Sequence, residues 1–376
     1  MNFILGSLTA LMLISVSIVA QAFEAGLVAD QAESYRQTSK ERNLLAEQRL
    51  AGAQLGIEAM STNGKGVSQN DVEAVRRCRL AAEQGDVRAQ YRLGFMYDYG
   101  EGVSRDEVKA VRWYRLAAEQ GDVRAQYRLG FMYDYGEGVS RDEVEAARWY
   151  REAAKQGHDI AQFILGSMYY TGKGVRRDYA EAVGWYRSAA KQGYADAQVA
   201  LGIMFDKGEG VLENNMAAMR WYRLAAEQGD VHGQYWLGSM YEFGEGVKAD
   251  YSEAVRWYRL AAEQGHFTAQ YHLGSAYEYG DRLSRDYTEA IRWYHMAAKQ
   301  GHVSAQVSLG SMYQNGHGEP QNAIMAHMWF NIASANGSDL AKRKRDSVAE
   351  TLTSSALSDA QQRAHRCMVS SYRDCG

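Results

Sequence analysis

The stretch AQYRLGFMYDYGEGVSRDEVEAARWYREAAKQG, residues Ala125–Gly157, decides the fold. It carries two apolar stripes at helical spacing, which predict two amphipathic helices. The first stripe consists of Ala125, Leu129, Met132 and Tyr133, and the second of Ala146, Trp149, Tyr150, Ala153 and Ala154. Gly136 is placed to end the first helix, and Asp142 stands where the second needs an N-cap. The stretch therefore predicts a helix–loop–helix hairpin.

This hairpin recurs with a fixed period of 36 residues and no gap. One glutamine column reads Gln54, Gln90, Gln126, Gln162, Gln198, Gln234, Gln270 and Gln306, and one tryptophan column reads Trp113, Trp149, Trp185, Trp221, Trp257, Trp293 and Trp329. A constant period of this length indicates a solenoid in which each repeat packs on its neighbours. We number the repeats one to eight, from residue 51, and call their helices A and B. Gly130 lies inside helix A, which predicts a close approach of helix B.

The recurring pattern, A-Q-x-x-L-G-x-M-Y-x-x-G-x-G-V followed by D-x-x-x-A-x-x-W-Y-x-x-A-A-x-x-G, resembles the Sel-one-like repeat (SLR) family of the tetratricopeptide superfamily. The resemblance spans residues 51–337. It implies an all-α, right-handed superhelix of antiparallel helix pairs that binds other proteins as an adaptor. It also implies that helix A lines the concave groove. Residues 23–50 are predicted to form an N-terminal capping helix or half repeat, and residues 338–376 two capping helices, at Asp339–Leu352 and Ser358–Ser370.

Residues 1–22 have the pattern of a secretory signal peptide. The run FILGSLTALMLISVSIVA is uncharged and is followed by Ala20-Gln21-Ala22, a small-x-small cleavage signature. Cleavage before Phe23 would send the mature chain to the periplasm or the medium. An uncleaved N-terminal membrane anchor is the alternative, since 18 apolar residues just reach spanning length.

The composition excludes two broad classes of protein. Of 376 residues, 46% are apolar and 23% charged, so the chain is not disordered as a whole. A net charge of −4 argues against binding to nucleic acid. We expect no cofactor and no metal.

Superposition of the repeat on the tetratricopeptide pattern assigns twelve residues to the partner-binding groove. They are Tyr91, Phe95, Asp98, Tyr99, Tyr127, Phe131, Asp134, Tyr135, Tyr235, Phe243, Tyr271 and Tyr279. Aromatic anchors with scattered acids suit an extended or helical peptide. The Tyr91 column could equally serve packing between repeats.

Other motifs carry weaker signals. Ser188 and Lys191 form an isolated S-x-x-K without the S-D-N or K-T-G of serine β-lactamases, so we read it as chance. His158, His266 and His302 share a column that holds aspartate elsewhere, which indicates a solvent-facing helix N-cap. The run Lys342–Arg345 is read as a solvated face of a capping helix. Cys367 and Cys375 could close a disulfide in an oxidising compartment, and Cys78 stands in a buried tyrosine column.

The sequence thus predicts a non-catalytic, extracytoplasmic scaffold that binds a protein or peptide partner through the concave groove, in envelope signalling, complex assembly or host contact. Two alternatives remain open. One is a cell-wall (peptidoglycan) binding protein whose aromatic side chains stack on sugars, and the other is a β-lactam hydrolase based on Ser188 alone.

Overall fold

A computed structural model describes residues 71–280 and 283–375. The predicted signal peptide, the N-terminal capping segment and the start of repeat one lie outside these residues. The described chain holds seventeen α-helices and no strand. They are α1 Asp71–Glu83, α2 Val87–Tyr99, α3 Glu107–Glu119, α4 Val123–Tyr135, α5 Glu143–Lys155, α6 Asp159–Thr171, α7 Tyr179–Lys191, α8 Ala195–Lys207, α9 Asn215–Glu227, α10 Val231–Phe243, α11 Tyr251–Glu263, α12 Phe267–Tyr279, α13 Tyr287–Ala298, α14 Val303–Asn315, α15 Ala323–Ala335, α16 Asp339–Ala349 and α17 Ser354–Val369. The chain divides between Arg177 and Asp178 into two compact units, which we call the first and second unit.

The helix ends follow from the residues that the repeat places there. Gly136 has a φ of 77°, a left-handed conformation that favours glycine, and its N–H donates to the carbonyl of Met132 at 2.9 Å. The Asp142 carboxylate accepts hydrogen bonds from the N–H groups of Val144 and Glu145, both at 3.0 Å. The predicted helix stop and N-cap of repeat three are therefore confirmed.

The glycine inside helix A marks a close contact with helix B. A Cβ atom on Gly130 would lie 2.9 Å from Cδ1 of Tyr150, which is fully buried in α5. Glycine is required because the tyrosine ring occupies the space that a side chain would take. The second unit repeats this contact, with the pairs Gly202–Tyr222, Gly238–Tyr258, Gly274–Tyr294 and Gly310–Phe330.

The glutamine column links neighbouring helices through buried amides. In the first unit, Nε2 of Gln126 donates to the carbonyl of Ala118 at 3.1 Å, and Oε1 of Gln126 accepts from Nε2 of Gln156 at 2.8 Å. Gln126 is 5% exposed, so both ends of its amide need such partners. The bonds join α3, α4 and α5, which explains why a polar residue holds a core column.

The last two helices cover the end of repeat eight. Ala341 and Val348 of α16 and Ala364 and Cys367 of α17 belong to the buried cluster that contains Trp329. Cys367 and Cys375 form a disulfide. The predicted bounds of these helices differ from the observed ones by at most four residues, since α16 ends at Ala349 and α17 begins at Ser354.

Candidate functional site

The predicted groove residues lie on helix A of successive repeats, and their exposed members are the aromatic ones at the last position of the helix. In the first unit Tyr99 is 56% exposed and Tyr135 is 64% exposed. Each packs against the half-buried phenylalanine one turn earlier, with ring centroids 4.4 Å apart in both the Phe95–Tyr99 and the Phe131–Tyr135 pair. The helices A of repeats two and three have the same sequence, VRAQYRLGFMYDY, and thus present the same exposed aromatic pair twice.

The two acidic residues predicted for this surface are buried instead. Asp98 is 4% exposed and accepts hydrogen bonds from the hydroxyl of Tyr114, at 3.1 Å, and from Arg128 of the next repeat. Asp134 is 8% exposed and forms an ion pair with Lys173, with 2.6 Å between Oδ1 and Nζ. Sequence reasoning treated both as open groove acids, and it missed Arg128 and Lys173, whose charges compensate them.

Arg128 lies between the acid and three aromatic rings. Its Cζ atom is 5.3 Å from the ring centroid of Tyr99, 5.2 Å from that of Phe131 and 6.0 Å from that of Tyr114. Burial by itself lowers the pKa of Arg128, but the hydrogen bond and charge of Asp98 outweigh burial and raise it. The guanidinium is therefore permanently charged and held by a carboxylate and by ring faces.

Tyr91 and Tyr127 combine packing with partial exposure. Tyr91 lies 5.7 Å from the ring of Tyr114 and carries the Arg124 guanidinium 4.2 Å above its ring. Tyr127 stacks on His158 at 4.6 Å. Both rings are half-buried and contact the following helices, so this column serves packing between repeats as well as the surface.

The second unit repeats the exposed ring at the end of helix A, but Ser239 and Ser275 replace the phenylalanines one turn earlier. Phe243 is 63% and Tyr279 58% exposed, at the column of Tyr99 and Tyr135. Tyr235 stacks on His266 at 4.5 Å, and Tyr271 stacks on His302 at 4.7 Å. The acids of repeats six and seven, Glu242 and Glu278, are half-buried rather than buried, and neither is paired with an arginine or lysine in the described residues. Oε2 of Glu242 accepts from the hydroxyl of Tyr258 at 2.6 Å, and Oε2 of Glu278 accepts from that of Tyr294 at 2.7 Å.

A pocket of about 150 Å³ opens beside Glu242. It is lined by Glu242, Tyr251, Ala254, Val255, Tyr258, His272, Ser275, Ala276 and Tyr279. Nδ1 of His272 lies 3.3 Å from Oε2 of Glu242. Burial raises the pKa of Glu242, but hydrogen bonds from His272 and Tyr258 lower it further than burial raises it. This pocket was not foreseen from the sequence, although Ala276 stands in a column otherwise filled by methionine.

The three histidines of the N-cap column are helix caps, as predicted, but they do not face solvent freely. Nδ1 of His158, His266 and His302 accepts from the N–H three residues on, at 3.3, 3.2 and 3.1 Å. Each ring is half-buried on a tyrosine of the helix A in its own repeat. Among the described residues, no group of three or more His, Cys, Asp or Glu side chains could hold a metal ion.

The remaining motifs take ordinary structural roles. The hydroxyl of Ser188 donates to the carbonyl of Gly184 at 3.1 Å, within α7. Lys344 packs over Phe330, and Arg345 bonds Asp346, while Lys342 and Arg343 are exposed. The buried Cys78 thiol donates to the carbonyl of Ala89 at 3.2 Å.

The comparisons with known proteins agree with the geometry. The Sel1 repeat model matches residues 50–86, 87–122, 123–158, 159–194, 195–230, 231–266, 268–302 and 303–338. The chain therefore belongs to the Sel1 repeat family, and its fold is an all-α solenoid. Proteins of this family generally act as scaffolds for protein–protein interaction and are typically non-catalytic.

Two solved structures cover most of the chain. A protective antigen with an SLR fold from uropathogenic Escherichia coli strains is 33% identical, with a TM-score of 0.64 over 90% of this chain and 81% of that one. A Sel1 repeat protein from Oxalobacter formigenes is 35% identical, with a TM-score of 0.66 over 81% of this chain and 88% of that one. No functionally curated protein matches the sequence significantly.

Proposed function

We propose that this protein is a non-catalytic scaffold outside the cytoplasm, which binds a protein or peptide partner through the helix-A aromatic surface. The observation that carries the proposal is the column of large exposed rings, formed by Tyr99 and Tyr135 in the first unit and Phe243 and Tyr279 in the second. Exposed aromatic side chains anchored on a rigid helix are the type of residue that dominates protein interfaces. Within each unit the two rings end consecutive helices A, which supports a paired aromatic anchor for the partner in that unit.

Truncation of these rings provides the test. The double variant Tyr99→Ala/Tyr135→Ala should lose the partner in a crosslinking pull-down from the native envelope, because each anchor contributes about 2 kcal/mol or more to binding. Phe95 and Phe131 are left in place, since Phe95 also packs on the core. Helical circular dichroism and melting should stay close to those of the unchanged protein.

The matched control lies on helix B. Arg112 and Arg148 are exposed and recur in consecutive repeats like the two tyrosines. Arg112→Ala/Arg148→Ala should retain the partner. If this variant loses the partner while the tyrosine variant keeps it, the partner binds the opposite face and the proposal is wrong.

Location outside the cytoplasm is supported by two features. The apolar run before Ala20-Gln21-Ala22 has the pattern of a cleaved signal, and the Cys367–Cys375 disulfide suits an oxidising compartment. The E. coli relative, described as a protective antigen, is consistent with such a location. None of the helices in residues 71–280 and 283–375 has the length and apolar character needed to cross a bilayer.

The site of cleavage gives a direct prediction. The intact mass of the protein purified from its native source should correspond to a chain that begins at Phe23. A membrane-bound form that retains residues 1–22 would instead establish the N-terminal anchor, and a full-length form in the cytoplasm would contradict the proposed location.

A further inference from the structure

The pocket beside Glu242 exists because repeat seven departs from the pattern of the other repeats. Position 276 holds alanine, whereas the other described helices A carry a buried methionine in this column: Met96, Met132, Met168, Met204, Met240 and Met312. Ser275, which repeats four, six and eight also have in this column, stands where repeat three has Phe131, and His272 stands where it has Arg128. The smaller side chain at 276 leaves the space of about 150 Å³ between α10, α11 and α12.

Repeats two and three show which group bonds the corresponding acid when the chain itself provides an arginine. There, the Arg128 guanidinium bonds the acid Asp98 and lies against the rings of Tyr99, Phe131 and Tyr114. Glu242 occupies the column of Asp98, and Tyr258 that of Tyr114. Repeats two and six thus both have the acid and its tyrosine, whereas His272 replaces the arginine.

Among the described residues, the Glu242 carboxylate lacks the permanently charged partner that Asp98 has in Arg128. Among the described residues its ion-pair partner is His272, which is charged only when protonated. Both hydrogen bonds, from Tyr258 and His272, go to Oε2, and no other residue that the structure describes bonds Oε1. A planar guanidinium suits such a site better than an ammonium, because it can bond a carboxylate and stack on aromatic rings at the same time.

We propose that this pocket binds an arginine side chain presented by the protein partner. The inference rests on the proposed function, because it names the chemistry of one anchor on the same surface. The arginine stem would contact Val255 and Ala276, and its guanidinium would bond Glu242 beside the ring of Tyr279, because the ring of Tyr258 is stacked on His272 at 4.8 Å. Charge complementarity favours it, since the neighbouring acid of this unit, Glu278, also has no arginine or lysine partner among the described residues.

The first test introduces an arginine into the chain, at the position that corresponds to Arg128 of repeat three. His272→Arg should reproduce the Asp98–Arg128 arrangement of repeats two and three, and therefore raise the urea midpoint of unfolding. His365→Arg is the matched control, because His365 is exposed on α17 and gains the same charge away from the pocket. An unchanged or lower midpoint for His272→Arg, relative to His365→Arg, would overturn the proposal.

The second test supplies the arginine from outside. The blocked peptides acetyl-Gly-Arg-Gly-amide and acetyl-Gly-citrulline-Gly-amide have side chains of nearly the same shape and differ in charge. In titrations followed by the NMR signals of the His272 ring and the Ala276 methyl group, the arginine peptide should bind at least about tenfold more tightly. Ala276→Met, which restores the methionine of the other repeats, and Glu242→Gln should both abolish this preference. Glu263→Gln, at an exposed acid of α11, should not.

The outcomes separate this inference from the proposed function. Equal binding of the two peptides, or a preference that survives Ala276→Met in a folded protein, would refute the arginine pocket while leaving partner capture by Tyr99 and Tyr135 untouched. Conversely, an arginine preference with the expected variant pattern would stand even if the tyrosine variant kept its partner. In that case the aromatic surface of the first unit would be excluded as the binding surface.

Discussion

Replacement of Gly138 by alanine is expected to lower the free energy of unfolding of the first unit by about 3–4 kcal/mol. Two costs add at this residue. Its φ of +66° is left-handed, and a Cβ atom would lie 2.3 Å from the carbonyl oxygen of Glu107, at the start of α3. Because the obstacle is backbone, it cannot move aside as a flexible side chain could. Urea unfolding followed by circular dichroism measures the loss.

Gly157→Ala is the matched control for this prediction. Gly157 also has a positive φ, +91°, but nothing lies within 4 Å of the place where its Cβ would stand. The Gly157→Ala substitution should therefore lower the free energy of unfolding only by the cost of the left-handed conformation, about 1–2 kcal/mol. Equal losses for the two variants would mean that the loop of repeat three does not pack on α3 as the structure has it.

The loop glycines also explain why the fold could be predicted from one sequence. The second unit repeats the contact of Gly138, since Cβ atoms on Gly210, Gly246 and Gly318 would each lie within 2.7 Å of the backbone of the preceding helix B. A steric demand shared by these repeats produces a glycine column, interrupted by Arg282 in repeat seven, and such columns are visible without a structure. The hairpin, its caps and the close approach of helix B at Gly130 were predictable because their columns recur.

The candidate site was predictable only in part, because its charges are compensated from other repeats. The exposure of Tyr99 and Tyr135 follows from their position at the end of helix A. The burial of Asp98, however, depends on Arg128, 30 residues further on, and that of Asp134 on Lys173 in a loop. A single repeat gives no sign of such pairing. Comparison of the Arg128 column across repeats would have shown where the cation is present and where it is replaced.

Acidification is the second change expected to have a large effect. Burial lowers the pKa values of His266 and His302 to about 4, and nearby histidines add to the effect: His232 and His272 act on His266, and His272 acts on His302. In the unfolded chain both residues have a pKa of about 6.5. Between these two pH values the unfolded chain binds more protons than the folded one, so stability falls as the pH falls.

The structural cause is the cap itself. Nδ1 of each histidine accepts a hydrogen bond from the N–H of Ala269 or Ala305, and each ring stacks on a half-buried tyrosine. A protonated Nδ1 cannot accept a hydrogen bond from the backbone N–H. Protonation therefore removes the cap and places a positive charge on the half-buried imidazole ring. The stabilisation is complete above about pH 6.5 and is lost as the pH falls towards 4.

The double variant His266→Asn/His302→Asn isolates this contribution, because asparagine is an effective N-cap that does not titrate. Between pH 7 and pH 5 the free energy of unfolding of the unchanged protein should fall by about 3 kcal/mol more than that of the variant. Urea titrations of both proteins at the two pH values measure this difference. His295, whose pKa burial also lowers to about 4, is present in both proteins and cancels. Parallel losses in the two proteins would show that the caps stay intact on acidification, and that other groups govern the acid sensitivity of the solenoid.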